Sequence, residues 1–344
     1  MQSENVPHPS RMSNAKLIAV IGATGGQGGG LARAILDDPE QRFRLRAITR
    51  NPDSEAAREL ARRGAEVVAA NTDDRASLER AFSGAHGAFC VTNFWEHVSP
   101  ERETAQGANM AFAARSAGVA HAIWSTLEDV RRWVPLSDER LPTLMKKYKV
   151  PHTDAKGEAD AAFREAGVPT TFLLTSFYWE NFLQPGRALR RDARGLSVQL
   201  PLGEQVLPGI ALEDIGRSAL GVFARGDALV GKTVGVAGEH TSGHAMAAAL
   251  TRSLGEPVRY DAVPDAVYRR ETRPFWADLE AKTGFPGGED LASSFAFSAM
   301  FNDEFRRARD VEVTRGLNPA LQSLDLWLAR HRDAFRAKGI SAGA

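Results

Sequence analysis

Three glycines, Gly22, Gly25 and Gly28, stand three residues apart between an apolar run, Leu17 to Ile21, and a stretch carrying Leu31, Ile35 and Leu36 at helical spacing. That arrangement suits one chemistry, the holding of a diphosphate. Glycine turns the chain sharply and brings bare backbone up to phosphate oxygens. A helix that begins there aims unpaired N–H groups and the positive end of its dipole at the anion. Thr24, Gly26 and Gln27 fill out the same turn. A glycine triplet alone is weak evidence; placed between a strand and a helix, it is the context a nucleotide-binding turn requires. Arg50 closes the next apolar run, FRLRAITR. In dinucleotide folds this position meets the adenosine ribose, and an acidic residue there selects a free 2′-hydroxyl. Thr49-Arg50-Asn51 offers a guanidinium and two hydrogen-bonding side chains instead. A planar, permanent cation fits a 2′-phosphate, so NADP(H) is expected over NAD(H); the alternative is a solvated arginine at a strand end. Asp73 and Asp74 follow a third apolar run. A carboxylate there can reach an adenine amino group, or simply cap the next helix.

The elements that must position these residues alternate. Strands are expected at Leu17 to Ile21, Phe43 to Arg50, Ala65 to Ala70, His86 to Thr92, Ala120 to Thr126 and Thr170 to Ser176. Helices are expected at Ser54 to Arg63, Arg75 to Phe82, Glu101 to Ala117 and Asp154 to Ala166. Strands alternating with helices across short turns imply an α/β fold, a doubly wound parallel sheet covered on both faces. Between Glu128 and Val150, charges and two prolines suggest an irregular excursion. Beyond Ser176 come shorter elements: a helix after Leu212 with Asp214 as a plausible cap, a strand in KTVGVAG, an alanine-rich helix after Thr241-Ser242, and a strand from Pro257 to Val263. Residues 1–14 read as a disordered leader, with Met12 as a second possible start. Residues 15–176 read as the nucleotide-binding domain, and 177–340 as a smaller α/β lobe whose chain can cross back to the first.

Bulk composition narrows the function. The 344 residues include 43 Lys plus Arg against 43 Asp plus Glu, so no global field draws in nucleic acid or a membrane surface. The single cysteine, Cys90, rules out an internal disulfide, suits a reducing cytoplasm, and sits in an apolar run as a small buried residue. No apolar run approaches the ~20 residues that span a bilayer. Arg187, Arg190, Arg191 and Arg194 read as a solvated helix face. His240 and His244 have a metal-compatible spacing, but no third ligand completes a site, and no metal is expected. Phe94, Trp95, Trp124, Phe177, Tyr178 and Trp179 gather at strand ends, either lining an apolar pocket or packing between lobes.

Six motifs occur in a fixed order: GATGGQG, TRNP, the acidic pair, VTNFWE (Val91 to Glu96), DAKGE (Asp154 to Glu158) and YWEN (Tyr178 to Asn181). Together, from about Lys16 to the region of Arg330, they resemble the NmrA-like family, an atypical branch of the short-chain dehydrogenase/reductase superfamily, and within it the NADPH-sensor type. The resemblance implies a Rossmann domain that binds NADP(H) and a small C-terminal lobe over the nicotinamide end. Carried over by motif, Gly22 to Gly28 hold the diphosphate, and Arg50, Asn51 and Ser54 flank the 2′-phosphate. Asp74 lies at adenine, Thr92, Asn93 and Phe94 beside the ribose, Lys156 at the nicotinamide ribose, and Tyr178, Trp179, Glu180 and Asn181 at the nicotinamide. Ser54 and Ala105 stand where close relatives carry cations.

Reductases of the wider superfamily pair a lysine with a tyrosine four residues earlier and an upstream serine, the lysine easing proton transfer from the phenol. Here Lys156 and Ser125 are present, but His152 stands at the tyrosine position. A cation beside Lys156 is disfavoured, so a neutral, hydrogen-bonding His152 is expected, and Tyr148 lies one helical turn away. The expected function is therefore reversible NADP(H) binding by a redox sensor or regulator with little turnover, acting on a regulatory protein partner, with a homodimer allowed. The alternative is an NADPH-dependent reductase of a quinone or small carbonyl compound, using Lys156, Ser125 and His152.

Overall fold

The computed structural model describes residues 15–184 and 188–340. Its first strand, β1 (Lys16–Ile21), is buried from its second residue on and leads through the glycine turn into helix α1 (Gln27–Leu36). The pattern repeats through β2 (Phe43–Thr49), α2 (Glu55–Arg62), β3 (Glu66–Ala69), α3 (Arg75–Phe82) and β4 (Gly87–Cys90). Ser54 and Asp74 each accept the helix N–H three residues on, which starts α2 and α3. A four-residue helix, α4 (Phe94–His97), then gives way to α5 (Pro100–Ser116), β5 (His121–Thr126), α6 (Pro151–Ala166) and β6 (Thr170–Leu174). Helix α6 begins three residues earlier than its apolar spacing suggests. Pro151 occupies the first helical position, where its missing N–H costs nothing, so His152 lies in the first turn.

The chain continues through β7 (Phe177–Tyr178), β8 (Leu189–Asp192), β9 (Gly195–Gln199), β10 (Val206–Ile210), α7 (Leu212–Arg225), β11 (Thr233–Gly235), β12 (Glu239–Ser242), α8 (Gly243–Leu254) and β13 (Val258–Asp261). Five helices follow: α9 (Asp265–Thr283), α10 (Gly287–Met300), α11 (Asn302–Arg307), α12 (Val311–Leu317) and α13 (Leu324–Ala337).

The main sheet has seven parallel strands in the order β11-β6-β5-β4-β1-β2-β3, with the strand order reversing between β1 and β4. Right-handed crossovers place helices on both faces. This is the doubly wound, Rossmann-type fold that the alternation of elements implies. One core packs α1 and α7 against one face, and a second packs α5 and α6 against the other. Two three-stranded sheets, β12-β10-β7 and β13-β9-β8, build the smaller C-terminal layer around Trp179, Trp327 and Leu250. The chain crosses back twice, since β11 extends the main sheet and α7 lies against α1.

Two expectations change. Arg190 and Arg191 lie on strand β8, paired antiparallel with β9, and Arg194 in the turn between them, so the arginines form a hairpin and not a helix face; Arg187 lies outside the described residues. Asp214 does not cap α7. It is fully buried in the first turn, accepting from Asn318 Nδ2 at 2.9 Å and from the backbone and side chain of Gln322, while Glu180 takes the Leu212 N–H at 3.1 Å. The stretch from 128 to 150 is irregular, with a 3₁₀ turn at Val130–Arg132, yet ordered around one buried cation. Lys149 Nζ donates to the carbonyls of Asp138 and Leu141 at 2.7 and 2.8 Å and to Thr143 Oγ1 at 3.0 Å.

Candidate functional site

The carboxyl ends of β1 and β4 diverge where the strand order reverses, and a cleft of about 540 Å³ opens there. Gly22, Thr24, Gly25, Gly26, Gln27 and Gly28 form its floor. Gly22 has φ +64°, a left-handed conformation natural to glycine. A Cβ on Gly28 would come within 2.4 Å of Ile21 O and 2.5 Å of Gly22 O, so only glycine lets α1 spring this closely from β1. No side chain caps α1, and its first turn opens into the cleft. Such a turn is a cradle made of backbone alone, able to hold an anion.

At one end of the cleft stand Arg50, Asp73, Glu96 and Arg102. Arg50 is largely exposed and ion-paired with Glu96 on α4. Asp73 is held by Arg102 Nε at 3.0 Å and Gln106 Nε2 at 2.9 Å, and the Arg102 hydrogen bond keeps its carboxyl below the usual range. Asp74 behaves as its alternative reading describes. Its side chain caps α3 and does not line the cleft, so the carboxylate of the pair that faces the site is Asp73. Ser54 likewise caps α2, and Asn51 is exposed, accepting the Asp53 N–H.

Midway along the cleft, Thr92, Asn93, Phe94 and Lys156 meet. Lys156 Nζ lies 2.8 Å from Glu103 Oε1 and donates to Thr92 Oγ1 at 2.6 Å. Thr92 in turn donates to Glu103, and His97 Nε2 stands 3.3 Å from its other oxygen. Glu103 is fully buried. Burial alone would raise its pKa, but Lys156, with the hydrogen bonds around it, holds it down at about 2. Gly107 makes this possible, because a Cβ there would meet Ala159 at 2.7 Å and force α5 away from α6.

Ser125 does not reach the cleft wall. It is buried and donates to Gln27 Oε1 at 2.7 Å, while Gln27 Nε2 donates to the Tyr178 hydroxyl at 2.9 Å. Burial pushes the Tyr178 phenol up, so it is a hydrogen-bonding group at neutral pH. Tyr178 and Asn181 line the cleft, whereas Trp179 is packed on Trp327 in the C-terminal core and Glu180 is spent on the start of α7. Trp124 is also core, stacked on Phe163. Tyr148 is buried beneath Arg131 and does not line the cleft.

His152 does line it. Its Nδ1 is 2.5 Å from Asp290 Oδ2, and its backbone N–H donates to Asp290 Oδ1 at 3.0 Å. Asp290 is fully buried and comes from α10. The same cavity includes an apolar chamber lined by Tyr268, Phe295, Phe297, Phe305, Leu200 and Leu207. Arg309, also fully buried, donates to Thr175 O at 2.8 Å and pairs with Glu128 at 2.6 Å along the chamber edge. His240 and His244 stay apart: one bonds Arg309 O at 2.8 Å, the other packs on Tyr260.

Sequence reading misses Glu103 and Asp290. Glu103 hides in the charged run PERETAQ, although Gly107, Met110, Ala111 and Ala114 continue its face at helical spacing. Asp290 shares a face with Ser293 and Phe297, a carboxylate on a buried stripe. Both signals are registers within a helix, visible only once the helix's bounds are known.

A seven-stranded doubly wound sheet with an anion cradle at its crevice defines a nucleotide-binding α/β protein of the Rossmann class. The family is narrower than that: the model of the NmrA-like family matches residues 14–320, and the chain belongs to that family. It is 27% identical to the NmrA-like family domain-containing oxidoreductase ptmS of Penicillium ochrochloron, over 92% of this chain and 97% of that protein. Among solved structures it resembles NmrA, a negative transcriptional regulator, in complex with NADP, with TM-score 0.70 and 21% identity over 94% of this chain and 98% of that one. An NADPH-dependent quinone oxidoreductase from Escherichia coli, complexed with NADPH, superimposes with TM-score 0.66 and 21% identity over 93% and 99% of the two chains. At these identities the structural likenesses speak for the fold.

Proposed function

We propose that this chain is an NADP(H)-dependent oxidoreductase that reduces a flat, apolar acceptor such as a quinone or an aromatic carbonyl compound. One observation carries the reading. The cleft runs unbroken from the glycine cradle, past Lys156, into the aromatic chamber under α9 and α10. A dinucleotide with its diphosphate on α1 places its reduced ring toward that chamber, and apolar walls suit an aromatic partner. When bound, the dinucleotide supplies a hydride. The chain's own residues bind and orient: the α1 amides hold the diphosphate, Arg50 the 2′-phosphate, and Asp73 with Gln106 the adenine. Lys156, paired with Glu103, donates to the nicotinamide ribose, and the rings of α10 exclude water. That ptmS is an NmrA-like oxidoreductase and the E. coli protein a quinone oxidoreductase supports this direction, as does the NADP held by NmrA.

The test is to incubate purified protein with NADPH and a panel of quinones, aldehydes and ketones while following absorbance of the reduced nicotinamide. Sustained consumption well above the protein-free rate supports the reading. Tight binding without consumption overturns it in favour of a second reading, a redox sensor. The Arg50–Glu96 ion pair favours that alternative, because Glu96 sits on α4, whose Phe94 and Trp95 pack on Phe285 and Trp276 near α10. A 2′-phosphate that displaced Glu96 from Arg50 would act on those covering helices and on any partner they bind.

A further inference from the structure

We propose that His152, held by Asp290, is the proton donor of the reduction, in the place where tyrosine serves in the wider superfamily; the proposal rests on the reductase reading. The geometry is specific. His152 stands in the first turn of α6, its ring on the cleft wall against both Phe94 at 6.0 Å and Trp95 at 5.2 Å, centroid to centroid. Asp290 grips it twice, through the backbone N–H at 3.0 Å and through Nδ1 at 2.5 Å. A carboxylate only accepts, so Nδ1 must carry a hydrogen, and Nε2 is the nitrogen left to exchange a proton with the cleft. The pairing also provides a counter-charge for the imidazolium.

The charge objection to a cationic His152 is answered by the surroundings. Lys156, one turn further along α6, is neutralised by Glu103 from α5 at 2.8 Å. His97 on α4 lies with its Nε2 3.3 Å from Glu103. The carboxylate paired with His152 is Asp290, from α10. As hydride reaches the carbonyl carbon, the C–O π pair becomes a lone pair on oxygen, the Nε2–H bond breaks and an O–H bond forms. The dinucleotide is oxidised and the carbonyl reduced, and the neutral imidazole regains its proton from water at the cleft mouth. His152 is catalytic in this scheme, and Asp290 is a positioning residue.

Asp290→Asn is the discriminating variant. The backbone N–H of His152 needs an acceptor, so the asparagine oxygen stays with it and the amide nitrogen is turned to Nδ1. A donor facing Nδ1 excludes the imidazolium and reverses the neutral tautomer, with almost no change of shape. Two measurements follow on wild type, Asp290→Asn and His152→Gln. The first is ¹⁵N NMR of selectively labelled histidine without substrate, where His152 is expected to carry its hydrogen on Nδ1 in the wild type and on Nε2 in Asp290→Asn. The second is kcat and KM for NADPH-dependent reduction across pH 5 to 9, with NADPH affinity measured separately by calorimetry. Both variants are expected to lose kcat on the order of 100-fold, the usual worth of a general acid, with NADPH affinity within about twofold. His152→Gln should also lose the pH dependence that the wild type shows in this range. An unchanged tautomer in Asp290→Asn, or variants that retain wild-type kcat, overturns the proposal and leaves the reductase reading intact. A wild type that binds NADPH but reduces none of the panel contradicts the reductase reading and the donor role together, even with the expected tautomers.

Discussion

Lys156 and Glu103 show how one buried pair sets the chemistry of the cleft. The lysine is nearly buried and the glutamate wholly so, and each is tolerable there only because the other is present. Replacing Glu103 by Gln strands the ammonium, and the expected cost is about 3–5 kcal/mol of folding stability, read by urea unfolding at pH 7. The pair also gives a pH signature with a definite sign. Glu103 has its pKa lowered from 4.5 to about 2 in the folded state, so its contribution is fully present above pH 4.5 and is lost as pH falls toward 2. Wild-type stability should therefore fall through that window more steeply than that of Glu103→Gln, which has no such carboxylate to protonate. Equal slopes would mean that the pair does not carry the linkage.

At the scale of elements, glycines decide how closely helices approach. Gly28 brings α1 onto β1, and Gly30 with Gly216 lets α1 and α7 cross, a Cβ on Gly216 meeting Leu31 N at 2.1 Å. Gly216→Ala should overpack this crossing and cost about 1–3 kcal/mol, measured by denaturant titration, without touching the cleft. Gly28→Ala should cost a similar amount and also weaken dinucleotide binding at least tenfold, since the cradle itself must shift. The glycine turn and the strand–helix alternation were readable because both are local patterns: a residue type, a spacing, a periodicity. The same locality explains the failures. Arg190, Arg191 and Arg194 carry no mark of the β9 strand that pairs with them, and Asp214 looks like a cap until Asn318 and Gln322 arrive from about a hundred residues away. Lys149 likewise reads as one more charge in a polar stretch, because the carbonyls that hold it belong to a loop with no periodicity.

For the whole molecule, the C-terminal layer is tied to the sheet by chain and by charge. Strand β11 joins the main sheet and helix α7 packs on α1, and the buried Arg309–Glu128 pair joins residues 181 apart in sequence at the edge of the chamber. Arg309→Met leaves Glu128 without its partner and should lower stability by about 3–5 kcal/mol while loosening the cover of the chamber. Tryptophan fluorescence during thermal unfolding would register this as an earlier transition.

Every role proposed for the cleft requires a phosphorylated dinucleotide lying across the first turn of α1 with Arg50 at its ribose phosphate. Calorimetric titration of the wild type with NADPH and NADH, with Arg50→Ala alongside, tests this most directly. The expected result is micromolar binding of NADPH, a weaker response to NADH, and an Arg50→Ala variant in which the difference between them has fallen by roughly tenfold, the worth of one charge-assisted contact. Absence of heat with either dinucleotide would contradict it.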